Sequence, residues 1–153
     1  MSDFTVSDSP EAPSLSGLEQ LRAIASGQMR VGMGDTLGFS LTTIEPGRVV
    51  FEGTPDRRVY NPIGTVHGGY AATLLDSACG CAVHSRLEAG QGFTTLELKV
   101  AYHKAMTEQT GRVFAEGKVI TMGRRAAFVE ATLKDAEGRL YASATSTLLV
   151  ISR

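Results

Sequence analysis

The sequence predicts an α+β fold in two layers, with one long apolar helix against one largely antiparallel sheet. Three observations predict it. Residues 61–88, NPIGTVHGGYAATLLDSACGCAVHSRLE, hold the one stretch long and apolar enough for a buried helix. Four segments after it, 94–102, 111–121, 125–133 and 140–151, show the period of two that marks half-buried strands. Two further short strands precede it, around a Glu45-Pro46-Gly47 turn.

In chain order, residues 1–13 read as a disordered tail broken by Pro10 and Pro13, and residues 14–153 as a single domain. Ser14 or Ser16 is a candidate N-cap for an amphipathic helix carried by Leu15, Leu18, Leu21, Ile24 and Ala25, with Gly27 as its stop. VGMGDTLG, at 31–38, lacks the lysine of a phosphate-binding loop and reads as a turn. Phe39 to Ile44 and Arg48 to Gly53 form a hairpin. The central helix runs from Gly69 to near Ala89-Gly90. On a 100° wheel, Ala71, Leu74, Ala78, Cys81 and Ser85 make a packing face. Gly69, Ala72, Asp76, Gly80 and Val83 make a strip of small residues around one carboxylate. In the next strand Leu96, Leu98, Val100 and Tyr102 share one face, and Thr95, Glu97, Lys99 and Ala101 the other. Val113, Ala115 and Val119 point inward from the following one, and Ala142, Ala144, Ser146, Leu148 and Val150 from the last. Asp135-Ala136-Glu137-Gly138 is a hairpin turn, and short turns are expected to join the four late strands as a meander.

Composition narrows the partners. A formal net charge of −1 on 153 residues offers no basic excess to attract nucleic acid or an anionic membrane. No apolar run approaches a membrane span, and the acidic N-terminus has no apolar secretory core, so a cytoplasmic protein is expected. Cys79 and Cys81 project about 200° apart on a helix, and no zinc-spaced partners lie near, so both read as small apolar fillers and no metal is expected. No G-x-S-x-G elbow and no G-x-G-x-x-G occurs, and His84 and His103 read as structural.

The informative set is Asn61, His67, Gly68, Gly69 and Asp76. Glycines at a helix start leave amides open at the positive end of the dipole, where a carbonyl can be polarised. A carboxylate two turns on can serve as base or nucleophile. Asn61 and His67 can supply orienting hydrogen bonds. The structural alternatives are a tight helix entry for the glycines, a cap for His67, and a solvent-exposed or hydrogen-bonded Asp76.

N-P-I-G-T-V-H-G-G-Y-A-A-T-L-L-D-S-A, at 61–78, resembles the signature of hotdog-fold acyl-CoA thioesterases, in particular the PaaI-like, phenylacetic-acid-degradation branch. F-T-T-L-E-L-K-V-A-Y-H-K-A and M-G-R-R-A-A-F-V-E-A-T-L are similar to that branch too, and the resemblance spans roughly residues 34 to 152. It implies a curved sheet wrapped around the central helix and hydrolysis of an (aryl)acyl-CoA to the free acid and CoA, without a cofactor. It implies that Asp76 is the catalytic carboxylate, as general base or nucleophile. Gly69 or Gly68 would bind the thioester carbonyl through its amide, Asn61 would place water or carboxylate, and His67 would bond near the thioester. A hydroxyl on the next strand assists in such enzymes. Alignment on Tyr102 favours Thr95, and simple alternation puts Thr94 inward. Gly123 and Arg124 match a place that contacts CoA phosphates, with an ordinary charged turn as the structural alternative. The site of such enzymes lies between subunits, which implies a homodimer or homotetramer and would account for the small-residue strip. Lys104-Ala105-Met106 departs from the proline-containing turn frequent in relatives.

Two other functions fit such a fold. A hydratase or dehydratase typically has proline after its histidine, whereas Gly68 follows His67 here. A non-catalytic acyl-CoA-binding module has no use for a carboxylate beside the thioester, so Asp76 separates that reading from hydrolysis.

Overall fold

The computed structural model describes residues 15–28 and 32–152. The expected tail at 1–13 and the Ser14 cap lie outside them. Six strands form one antiparallel sheet around one long helix, a hotdog fold. The elements are α1 (Gly17–Ala25), α2 (Gly32–Leu37), β1 (Phe39–Glu45), β2 (Arg48–Gly53), α3 (Gly68–His84), β3 (Gln91–Tyr102), β4 (Val113–Met122), β5 (Ala126–Asp135) and β6 (Leu140–Ser152). The sheet order is β1-β2-β4-β5-β6-β3.

That order corrects the expected meander. β4, β5 and β6 are joined by tight turns, but β3 sits at the far edge and pairs with β6 alone. The β3–β4 connection, residues 103–112, is too long for a hairpin and spans the width of β5 and β6 to reach β4. It carries a 3-10 turn at Glu108–Thr110 and the buried Met106. The Met106 carbonyl accepts from the Val66 amide at 2.9 Å and thereby holds the approach to α3.

VGMGDTLG is also more ordered than a turn. Its Gly32–Leu37 part is the short helix α2, in which Thr36 Oγ1 donates to the Gly32 carbonyl at 2.8 Å, and Gly38 ends it at φ +72°. Helix α1 is capped by Ser16, whose hydroxyl accepts from the Glu19 amide while Glu19 reaches back to the Ser16 amide at 2.8 Å.

α3 ends earlier than the apolar run suggests. From Ser85 the chain tightens, with Arg86 and Leu87 amides donating to carbonyls three residues back. The Ser85 hydroxyl donates to the Ala82 carbonyl and accepts from the Gly47 amide at 2.8 Å, tying the β1–β2 turn to the helix end. The packing face is broader than one wheel side. Tyr70, Ala71, Leu74, Leu75, Ala78, Cys79, Gly80, Ala82 and Val83 are all buried. They meet Val113 and Ala115 of β4, Val129 and Leu133 of β5, and Leu148 of β6 in one core.

The β5–β6 turn is built on Asp135, whose side chain is wholly buried. Its Oδ1 accepts from the Glu137 and Arg139 amides at 3.0 and 2.9 Å, and its Oδ2 from Arg139 Nε at 2.7 Å and the Tyr141 hydroxyl at 3.1 Å. Burial pushes this carboxyl up. The Arg139 amide and guanidinium and the Tyr141 hydroxyl outweigh it and bring it down to about 2. A depressed folded-state pKa contributes stability above the ordinary value of 3.8, and that contribution is lost as pH falls through about 2. The wild-type melting temperature should therefore fall between pH 5 and 2. Asp135→Asn should melt lower at pH 7 and lose less on acidification; parallel curves would remove Asp135 from the acid response.

Candidate active site

The carboxylate expected to carry the chemistry sits two turns into α3. Asp76 is half-buried, and its Oδ1 accepts from Thr95 Oγ1 at 3.2 Å. This pair arises from a bulge in β3. The β3–β6 register slips between Thr95 and Glu97, so Leu96 opposes nothing and is expelled to 59% exposure. Strict alternation, which grouped Leu96 with Leu98 and Val100, fails at that residue. Phe93 and Thr95 face α3 upstream of the bulge, and Leu98 and Val100 lie half-buried downstream of it. Thr94 is exposed and pairs outward with Leu149.

Asp76 and Thr95 line a cavity of about 780 Å³. Its other walls come from Leu21 and Ile24 of α1, Phe39 and Leu41 of β1, Phe51 of β2, and Gly80, Cys81 and Phe93. Phe39 and Phe51 meet edge to face with centroids 5.7 Å apart. Burial pushes the Cys79 and Cys81 thiols up to about 12, and the charge of Asp76 adds to the rise, so neither is a thiolate at neutral pH.

The helix entry is a separate place in the same chain. Asn61 organises its own loop: Nδ2 donates to Thr65 Oγ1 at 3.0 Å, and Oδ1 accepts from the Ile63 and Thr65 amides. The loop is pinned by His67 N–H to the Val59 carbonyl at 2.8 Å and by Glu108 N–H to the Tyr60 hydroxyl at 2.8 Å. His67 is the N-cap of α3, its Nδ1 accepting from the Gly69 amide at 2.8 Å. That bond fixes the tautomer, leaving the exposed ring's Nε2 as its donor. It also occupies the Gly69 amide. Among the described residues the Gly68 amide has no such capping bond, while the Gly68 carbonyl accepts from the Tyr102 hydroxyl at 2.9 Å.

Gly69 and Gly80 of the strip, and Gly68 beside it, have close neighbours within the chain. A Cβ at Gly69 would stand 2.9 Å from His67 Nδ1, one at Gly68 would stand 3.0 Å from the Tyr102 ring, and one at Gly80 would stand 2.9 Å from the Phe93 ring. Their smallness lets His67, Tyr102 and Phe93 lie on the helix.

The structure thus brings Asp76 and Thr95 together at one cavity. Asn61, His67 and Gly69 line neither that cavity nor the smaller one, of about 360 Å³, at Gly68 and Tyr102. Gly123 and Arg124 form the exposed β4–β5 turn, where the Gly123 amide donates to the Ala126 carbonyl at 2.8 Å. The amphipathic spacing of Leu21 and Ile24 marks a face to be covered, across a sheet edge or a pocket mouth, and the structure lays that face on the cavity.

Residues 63–142 match the family profile described as the Thioesterase superfamily. The proofreading thioesterase EntH of Klebsiella pneumoniae subsp. pneumoniae is 30% identical over 103 residues, 67% of this chain and 74% of that one. A 1,4-dihydroxy-2-naphthoyl-CoA hydrolase of Listeria monocytogenes is 26% identical over 120 residues, 78% of this chain and 96% of that one. The crystal structure of a thioesterase family protein from Silicibacter pomeroyi superposes with a TM-score of 0.77 at 29% identity, covering 87% of this chain and 99% of that one.

Proposed function

The chain belongs to the thioesterase superfamily and is a thioester hydrolase, and from that premise we propose that its substrate is an arylacyl-CoA, cut to the free acid and CoA in the cytoplasm. The observation that carries this reading is the Asp76 carboxylate, hydrogen-bonded to Thr95 on the wall of a cavity lined by three phenylalanines. Such a wall suits an aromatic acyl group, and the Listeria relative is named for an aromatic acyl-CoA. Among the described residues no helix is long and apolar enough to cross a membrane.

Thr95 holds Oδ1 and leaves Oδ2 to act. In the proposed reaction Oδ2 takes a proton from water as the water oxygen bonds to the thioester carbon. The carbonyl oxygen becomes an oxyanion, held by the Gly68 amide and His67 Nε2–H at a helix start, where the dipole favours negative charge. The tetrahedral intermediate then collapses, the C–S bond breaks, and the CoA thiolate takes up a proton. Arg124, exposed on its turn, would meet the CoA phosphates.

One chain does not assemble these parts. The Gly68-His67 entry lies two turns, roughly 10 Å, up its own helix from Asp76. A second copy with its α3 antiparallel would bring its own entry to this Asp76. The protein is therefore proposed to be a homodimer or a homotetramer of such dimers, with each site shared.

Mixing Asp76→Ala with His67→Ala tests the sharing. Each variant alone should be nearly inactive. After unfolding and refolding together in equal amounts, half of the dimers are mixed and each holds one intact site, so about a quarter of wild-type activity should return. No recovery in a mixture shown to contain mixed dimers would place the whole site within one chain.

A further inference from the structure

Helix α1 is seated on the last turn of α3. The Gly17 amide donates to the Leu87 carbonyl at 3.0 Å, a Cβ at Gly17 would run into the His84 carbonyl oxygen, and Gln20 Oε1 lies 3.1 Å from His84 Nε2. This docking fixes the direction of α1. Leu21 and Ile24, three residues apart and so on one face, then line the cavity that Asp76 and Thr95 also line. Phe39, Phe51 and Phe93 add aromatic surface, while Asp35 and Ser40 leave part of the lining polar. The volume of about 780 Å³ lies within the roughly 300–1,000 Å³ of ligand clefts, and an acetyl group would leave most of it unfilled.

We propose that α1 is the wall that selects the acyl group: the acyl part of the thioester lies between α1 and the sheet, and Leu21 and Ile24 favour large apolar groups, aromatic or medium-chain aliphatic. The proposal rests on the assignment of Asp76 to thioester hydrolysis. A thioester carbon placed beside Asp76 has apolar space beside it, bounded by α1. Each buried apolar group then contributes to transition-state binding, as one methylene does in hydrophobic specificity pockets, on the order of 10- to 200-fold in kcat/KM. Ile24 makes no hydrogen bond to Asp76 or Thr95, so changing its size should change the ranking of acyl groups.

The test compares acetyl-CoA, phenylacetyl-CoA and decanoyl-CoA across wild type, Ile24→Trp and Ile24→Ala. Wild type should favour one or both large substrates over acetyl-CoA by about 10²-fold or more in kcat/KM. Whichever is favoured identifies ring or chain as the occupant. Ile24→Trp narrows the cavity and should lower kcat/KM for the favoured substrate by about 10-fold or more relative to acetyl-CoA. Ile24→Ala enlarges the cavity and should raise decanoyl-CoA relative to phenylacetyl-CoA, which keeps the test open should the Trp variant not fold. Equal changes for all three substrates, or none, in both variants overturn the proposal. Calorimetric titration with phenylacetate and decanoate separates it from the catalytic assignment. If wild type cleaves no thioester yet binds these acids, and Ile24→Trp does not, the wall stands and the hydrolytic assignment falls. If thioesters are cleaved and the Ile24 variants keep the wild-type profile, the wall alone falls.

Discussion

Asp76→Asn should lower kcat by about 10²–10⁴-fold, the effect typical of losing a general base, with KM changed little. Asparagine keeps the size and planarity of the side chain, and its Oδ1 can still accept from Thr95. What it loses is the second oxygen, the atom left free to take a proton from water. Among the described residues no other acidic side chain stands on α3, and both thiols are held protonated; the one other carboxylate on the cavity lining, Asp35, comes from α2 and has no bond to Thr95. Thiol release from phenylacetyl-CoA, followed at saturation and at low substrate, separates kcat from KM. Near-normal turnover in this variant would return the chain to the acyl-CoA-binding reading.

Gly117→Ala should lower stability by about 3 kcal/mol, the upper end of overpacking costs, and the melting temperature by about 6–12 °C. Gly117 lies in β4 where the sheet comes closest to α3. A Cβ there would collide with the Ala78 carbonyl oxygen and stand 3.0 Å from the Cys79 amide nitrogen. These are backbone atoms, and no rotamer change relieves the clash. The helix must lift, and Asp76, two residues before Ala78, lifts with it. Activity should therefore fall along with stability. A thermal scan and a turnover assay on one preparation check both, and an unchanged melting temperature would show that the sheet can yield at this point.

Much of this architecture is readable from local pattern. Arg48–Gly53, the inward set of β6 and the Asp135 turn follow from period two and turn chemistry, which act over a few residues. Asp76 stands out because a lone Asp on an apolar helix needs a partner. Its partner was readable only through the resemblance, which favours Thr95; simple alternation points to Thr94, because the bulge at Leu96 adds a residue that has no periodic signature. The place of β3 was hidden for a related reason. It is set by pairing with a strand fifty positions away, as in the Thr147 hydroxyl's 2.8 Å bond to Glu97, and not by the residues next to it. Within one chain, Gly69 and Gly80 of the strip make room for the His67 and Phe93 rings, a use of small residues that local pattern did not reveal.

The position of β3 at the edge beyond β6 sets an order of events during synthesis. β1, β2, α3 and β4 can associate once β4 has left the ribosome, since their contacts are mutual. β3 is made before β4, yet its one neighbour among the described strands is β6, the last of the six to be translated. Until β6 emerges, Thr95 has no sheet to hold it against Asp76, and Phe93 cannot close its side of the cavity. The nascent chain therefore carries its carboxylate and its capped helix long before it carries a working wall, and hydrolytic competence should appear only when the final strand is released.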